Sequence, residues 1–161
     1  MELLRERISD QIDSELLMGE RWDEALPAFF RSYREVFAAH PKVVPLLATA
    51  PIRLPRAIEA YDRMVDLLNG AGVAPERALE ILTALESFVI GSALDLAAPD
   101  VMWEIPEGVE APHLAAALTD RGPHAGRAEA AFERGLELLL AAIGQPAGLS
   151  VDRLRRGPGR R

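Results

Sequence analysis

The 161-residue chain contains no cysteine. That excludes disulfides, thiolate nucleophiles and Cys-ligated metal together. Histidine is scarce: His40, His113 and His124 stand far apart, and no two have a ligand spacing such as HxxxH. Long apolar runs are missing too. Nothing reaches the roughly 18 uninterrupted residues that a membrane span needs. Residues 1–18 carry charges throughout, so no apolar signal segment is visible. A cytoplasmic address and no membrane partner are expected. No phosphate loop, dinucleotide fingerprint or nucleophile elbow occurs. Asp62 and Asp66, one helical turn apart, read as a solvated acidic pair. No catalytic residue, cofactor or metal is expected, and nothing points to an enzyme.

Cations are few and unevenly placed. The net charge is −7, of which residues 151–161 (VDRLRRGPGRR) contribute +4, so residues 1–150 stand at −11. An acidic body repels phosphate backbones and is a poor grip for nucleic acid. The basic end, 150–161, reads as a disordered, solvated tail.

What is present is helical periodicity. With 49% hydrophobic residues, the chain can bury one core, and residues 1–149 are read as one domain. Leu4, Ile8, Ile12 and Leu16 recur at steps of four, which predicts one helix over residues 2–18. A second helix is expected from about Trp22 to His40, with Leu26, Phe29, Phe30, Tyr33, Val36 and Phe37 on a broad apolar side. Pro27 is harmless if that helix starts near Ala25, and costs a hydrogen bond if it starts at Trp22. Helices are also predicted over 55–69, 75–97 and 125–143, with a short piece at HLAAAL inside a long 98–124 loop. No useful period-two alternation occurs, so no sheet is expected. The fold class is all-α: an antiparallel bundle of five main helices plus one or two short ones.

One stretch resists this pattern. AHPKVVPLLATAPIRLP, residues 39–55, is mostly apolar yet holds prolines at 41, 45, 51 and 55. It can make a turn or two of helix and then a corner. The helices over 75–97 and 125–143 carry wide apolar stripes, with Gly91 and Gly135 near their middles. Those stripes serve either packing within one chain or association with a second copy.

The ordered landmarks Trp22, His40-Pro41, PLLATAP, GAGVAPERAL, FVIGSAL and FERGLELLL resemble the ligand-binding and dimerisation region of the tetracycline-repressor (TetR) family of transcription regulators. The resemblance covers about residues 2–144. It implies a homodimeric, effector-sensing domain of a repressor, with residues 1–18 as the helix connecting to a DNA-reading head. That head, a helix-turn-helix, is expected to be missing here, so DNA would be reached only through it. A stand-alone helical dimerisation module is the alternative.

The resemblance further implies that the proline-rich corner walls a pocket for a small apolar or amphipathic effector. Phe29, Tyr33, Leu46, Leu47, Thr49, Met64 and Phe88 become candidate lining residues, with Trp103 and His113 closing the mouth. The competing reading of each, as ordinary core, is the favoured one residue by residue. Leu85, Val89, Leu96, Phe132, Gly135, Leu136, Leu139 and Ile143 become the candidate dimer interface. In tetracycline repressors the corner opens with a histidine that helps hold the drug's magnesium, and Leu46 matches it. Ala50 matches a neighbouring arginine, and Phe29 matches an amide that holds the drug. A less polar ligand is implied.

Overall fold

The apolar side of the Trp22–Ala38 segment organises the molecule. In the computed structural model, which describes residues 2–98, 102–119 and 124–143, this segment is helix α2. It buries Leu26, Phe29, Phe30 and Phe37. It starts at Trp22 rather than Ala25, so Pro27 lies past the first turn and leaves one carbonyl without its helical donor. Asp23 and Glu24 sit in the first turn, where the helix dipole favours carboxylates, and Arg21 pairs with both.

Around it in chain order lie α1 (Glu2–Ser9), a 3₁₀ turn (Ser14–Met18), α3 (Val44–Ala48), α4 (Pro55–Gly70), α5 (Pro75–Leu96), α6 (Pro112–Thr119) and α7 (His124–Ala141). The described residues hold helices and no strand, as an all-α fold requires. The expected basic tail at 150–161 lies outside them. No helix among them is long and apolar enough to cross a membrane.

The single helix expected over residues 2–18 is instead two pieces. Asp13 breaks it: its extended backbone carries a carboxylate that accepts from Glu15 N at 3.1 Å, while its own N–H goes to Ser32 Oγ at 3.2 Å. Ile8, Ile12 and Leu17 still reach the core. Arg63 of α4 fastens the 3₁₀ turn by donating to the carbonyls of Leu17 and Gly19, at 3.0 and 2.9 Å.

Helices α4 and α5 meet through a tight turn. Val73 N–H reaches Leu68 O at 3.0 Å and Gly72 N–H reaches Asn69 O at 2.9 Å. Gly72 has φ +86°, the left-handed value this helix stop demands and glycine supplies without strain. Pro55 and Pro75 occupy first turns, where a missing N–H costs nothing.

Helix α7 runs antiparallel to α2 and α5. Arg31 of α2 makes a two-pronged pair with Glu133 at 2.7 and 2.6 Å. Arg34, buried, donates to Glu129 and to Ala128 O, and its guanidinium lies 4.3 Å over the Phe132 ring. Phe132 stacks on Phe88 of α5 with centroids 5.8 Å apart. A Cβ on Gly135 would run into the tip of the Phe88 ring, so a larger residue there would force that ring to move. Phe132 and Leu136 fill the space beneath. Truncating a buried phenylalanine of this kind costs about 3–5 kcal/mol.

The Arg31 guanidinium holds the Glu133 carboxyl below its ordinary range, chiefly through their hydrogen bonds and secondarily by charge. A carboxylate with a lowered folded-state pKa adds stability that is present above its ordinary value of about 4.3 and lost as pH falls through the lowered one. Both side chains are half-exposed, so the effect is small. Chemical denaturation at pH 7 and pH 3 should show a smaller acid loss in Arg31→Gln than in the native chain.

Candidate ligand-binding cavity

The proline-rich segment cannot lay a long helix across the aromatic side of α2. Helix α3 ends after five residues, and residues 51–54 are irregular before Pro55 restarts the helix. The space left is a cavity of about 480 Å³, well above the water-sized voids of ordinary interiors and within the range of small-molecule sites.

Its walls come from five parts of the chain. Phe29, Phe30, Tyr33 and Phe37 of α2 form an aromatic side, with Tyr33 and Phe37 stacked at 4.4 Å. Leu47, Ala48, Ala50 and Ile52 supply the corner. Helix α4 adds Arg56, Ala57, Ala60, Tyr61 and Met64. Helix α5 adds Leu82, Thr83, Glu86, Ser87 and Ile90, and the N-terminal segment adds Ser9, Ile12 and Ser14. The four alanines are decisive for volume, since larger side chains there would fill the hole.

Two polar features stand in this mostly apolar wall. Tyr33 Oη and Tyr61 Oη both donate to Glu86 Oε1, at 2.9 and 2.6 Å. At the rim, Arg56 donates to Asp10 Oδ1 at 3.2 Å and to Ser14 Oγ at 3.2 Å. Arg56 thereby ties α4 to the break between α1 and the 3₁₀ turn.

Of the lining residues expected from sequence, Phe29, Tyr33, Leu47 and Met64 face the cavity. The other five do not. Leu46 is 52% exposed on the outside of α3. Thr49 turns back to donate to Pro45 O at 2.9 Å. Phe88 is committed to Phe132 across the α5–α7 contact. Trp103 lies 5.0 Å from the Arg127 guanidinium, which pairs with Asp95 near the end of α5. His113 is exposed on α6.

Of the expected interface residues, Leu85, Val89, Phe132, Leu136 and Ile143 are buried within the chain, and Leu96, Gly135 and Leu139 are partly covered. The most apolar face of each helix is the inward one. The outward face carries Ala84 and Gly91 on α5 and Ala131 and Leu138 on α7, within about a turn of the Phe88–Gly135 contact.

Glu86, Tyr61 and Arg56 were absent from the expected site. A signal for Glu86 existed: it stands four residues from both Leu82 and Ile90, a carboxylate on an apolar row.

The chain contains a helical domain walled around a cavity, and the family model for the tetracyclin repressor-like, C-terminal domain matches residues 17–145. The chain belongs to that family. It is also 27% identical over 143 residues to an HTH-type transcriptional regulator of Saccharopolyspora erythraea, an alignment covering 81% of this chain and 59% of the relative. The chain thus spans under two thirds of the length of the curated relative it matches.

The cavity predicts its own repair. Ala60→Leu should place an isobutyl group in the void and raise stability by about 1 kcal/mol, read as a higher urea midpoint. The same variant should lose the fluorescence enhancement of N-phenyl-1-naphthylamine, a neutral apolar probe that fits the native cavity.

Proposed function

We propose that this chain is the effector-sensing and homodimerising region of a tetracycline-repressor-type transcriptional regulator. A small apolar or amphipathic molecule occupies the cavity and thereby controls DNA binding by a helix-turn-helix head joined at the N-terminal side. The observation that carries this reading is the cavity's makeup. Ser9, Ile12 and Ser14 share its wall with α2, α4 and α5. A guest that repacks the wall therefore touches the segment leading toward such a head. The ligand acts by binding one arrangement of that segment better than another. No covalent chemistry is needed, and the setting is cytoplasmic.

Dimerisation would use the outward face of α5 and α7. Leu138 is 63% exposed there, and a Cβ added at Gly91 meets open space. Small residues let a second copy's helices approach closely, and burial of Leu138 on both copies contributes about 1.5–3 kcal/mol each.

Hydrogen exchange tests the switch. Saturation with N-phenyl-1-naphthylamine should change amide protection in residues 6–18, and unchanged protection there counts against the coupling. Light scattering tests the dimer. The native chain should show twice its mass of 17.6 kDa, and Leu138→Arg should halve that value with helical content intact. A native chain that runs as a monomer at micromolar concentration sinks the interface.

A further inference from the structure

We propose that the molecule this cavity takes is an amphipathic organic cation, with an apolar body on the aromatic wall and an ammonium group on Glu86. The inference rests on the reading of the cavity as an effector site and adds the chemical class of the effector.

The carboxylate of Glu86 is placed like a receptor group. Both phenols converge on Oε1, from Tyr33 at 2.9 Å and Tyr61 at 2.6 Å. They hold the side chain in one orientation. Among the described residues nothing bonds to Oε2, and no Arg, Lys or His forms an ion pair with this carboxylate. An acid without a counter-charge, half-buried beside Leu82, Ile90 and Met64, is costly in an apolar setting. A guest that expels the remaining water raises that cost unless it supplies a donor. A cation supplies both the donor and the charge, and charge-assisted bonds are roughly twice as strong as neutral ones.

Three further features favour the same sign. Phe29, Phe30, Tyr33 and Phe37 line the cavity, and aromatic rings attract cations through their quadrupoles. Arg56, the cation in the wall, is engaged by Asp10 and Ser14 and so is poorly placed for an anion. The body of the chain is strongly acidic, since residues 1–150 stand at −11, and such a field concentrates cations near the mouth.

The test holds the apolar body constant and changes the head group. Decylammonium, decanol and decanoate are titrated into the native chain by calorimetry at pH 7, below their micelle concentrations. Decylammonium should bind at least about ten-fold more tightly than decanol, the ratio that one charge-assisted hydrogen bond supplies. Decanoate should bind more weakly than either. Glu86→Gln should abolish the preference for decylammonium over decanol, with an unchanged helical circular-dichroism spectrum and thermal midpoint showing that the variant is folded. Tyr61→Phe removes a donor and keeps the charge, so it should retain the preference. Equal binding of decylammonium and decanol, or a preference that survives Glu86→Gln, overturns the inference and leaves the cavity as an effector site. Tightest binding of decanoate overturns it in favour of Arg56. Failure of all three to bind removes the effector-site reading and this inference with it.

Discussion

The structure depends on an unfilled place opposite one helix. Helix α2 presents more aromatic surface than a single neighbour can cover, and the chain that follows it cannot form a long helix to do so. Prolines at 41, 51 and 55 remove N–H donors and follow non-helical residues. Only α3, five residues long with Pro45 in its first turn, forms in this segment. The remaining elements close around α2 on its other sides: α5 and α7 beneath, α4 and the 3₁₀ turn beside. The space left open by the interrupted corner is about 480 Å³, and four alanines on its wall keep it from being filled.

Attachment of α7 is handled by different physics. Arg31 and Arg34 lie on one side of α2 and reach across to Glu133 and Glu129. The Arg34 guanidinium does two jobs at once. It closes an ion pair at its outer edge, and its flat face covers the Phe132 ring. A lysine could not do both, because its charge is a point on a flexible stem. Removing Glu129 would strand a buried cation, whereas an apolar replacement of Arg34 would strand nothing charged inside. The α5–α7 contact combines shape, with one ring laid against a glycine, and the part-buried Arg127–Asp95 pair at 2.7 Å.

Much of the fold was legible because helical period and stop signals are local. The limits of α4 and α5 follow from Pro55, Gly72 and Pro75. The break at Asp13 was legible only in part, since its carboxylate caps Glu15 locally whereas its N–H bonds to Ser32, nineteen residues away. Part of the cavity wall could be read from the corner and the aromatic residues of α2. Phe88 was misplaced because the glycine that accommodates it belongs to another helix. Hydrophobicity alone does not say whose core a stripe on α5 or α7 belongs to, and the fold buries Leu85, Val89, Phe132 and Leu136 within the chain. The Glu86 cluster draws one side chain from each of three helices, and no spacing within a single segment encodes it.

The stop at Gly72 has a mechanical consequence. Its crossed hydrogen bonds and the two prolines that open α4 and α5 make these helices a stiff hairpin. Tyr61 and Glu86, one from each arm, are then locked in relative position whatever enters between them and α2. Among the described residues the wall opposite this hairpin lacks such bracing in two places, where the backbone leaves the helix at 10–13 and again at 49–54.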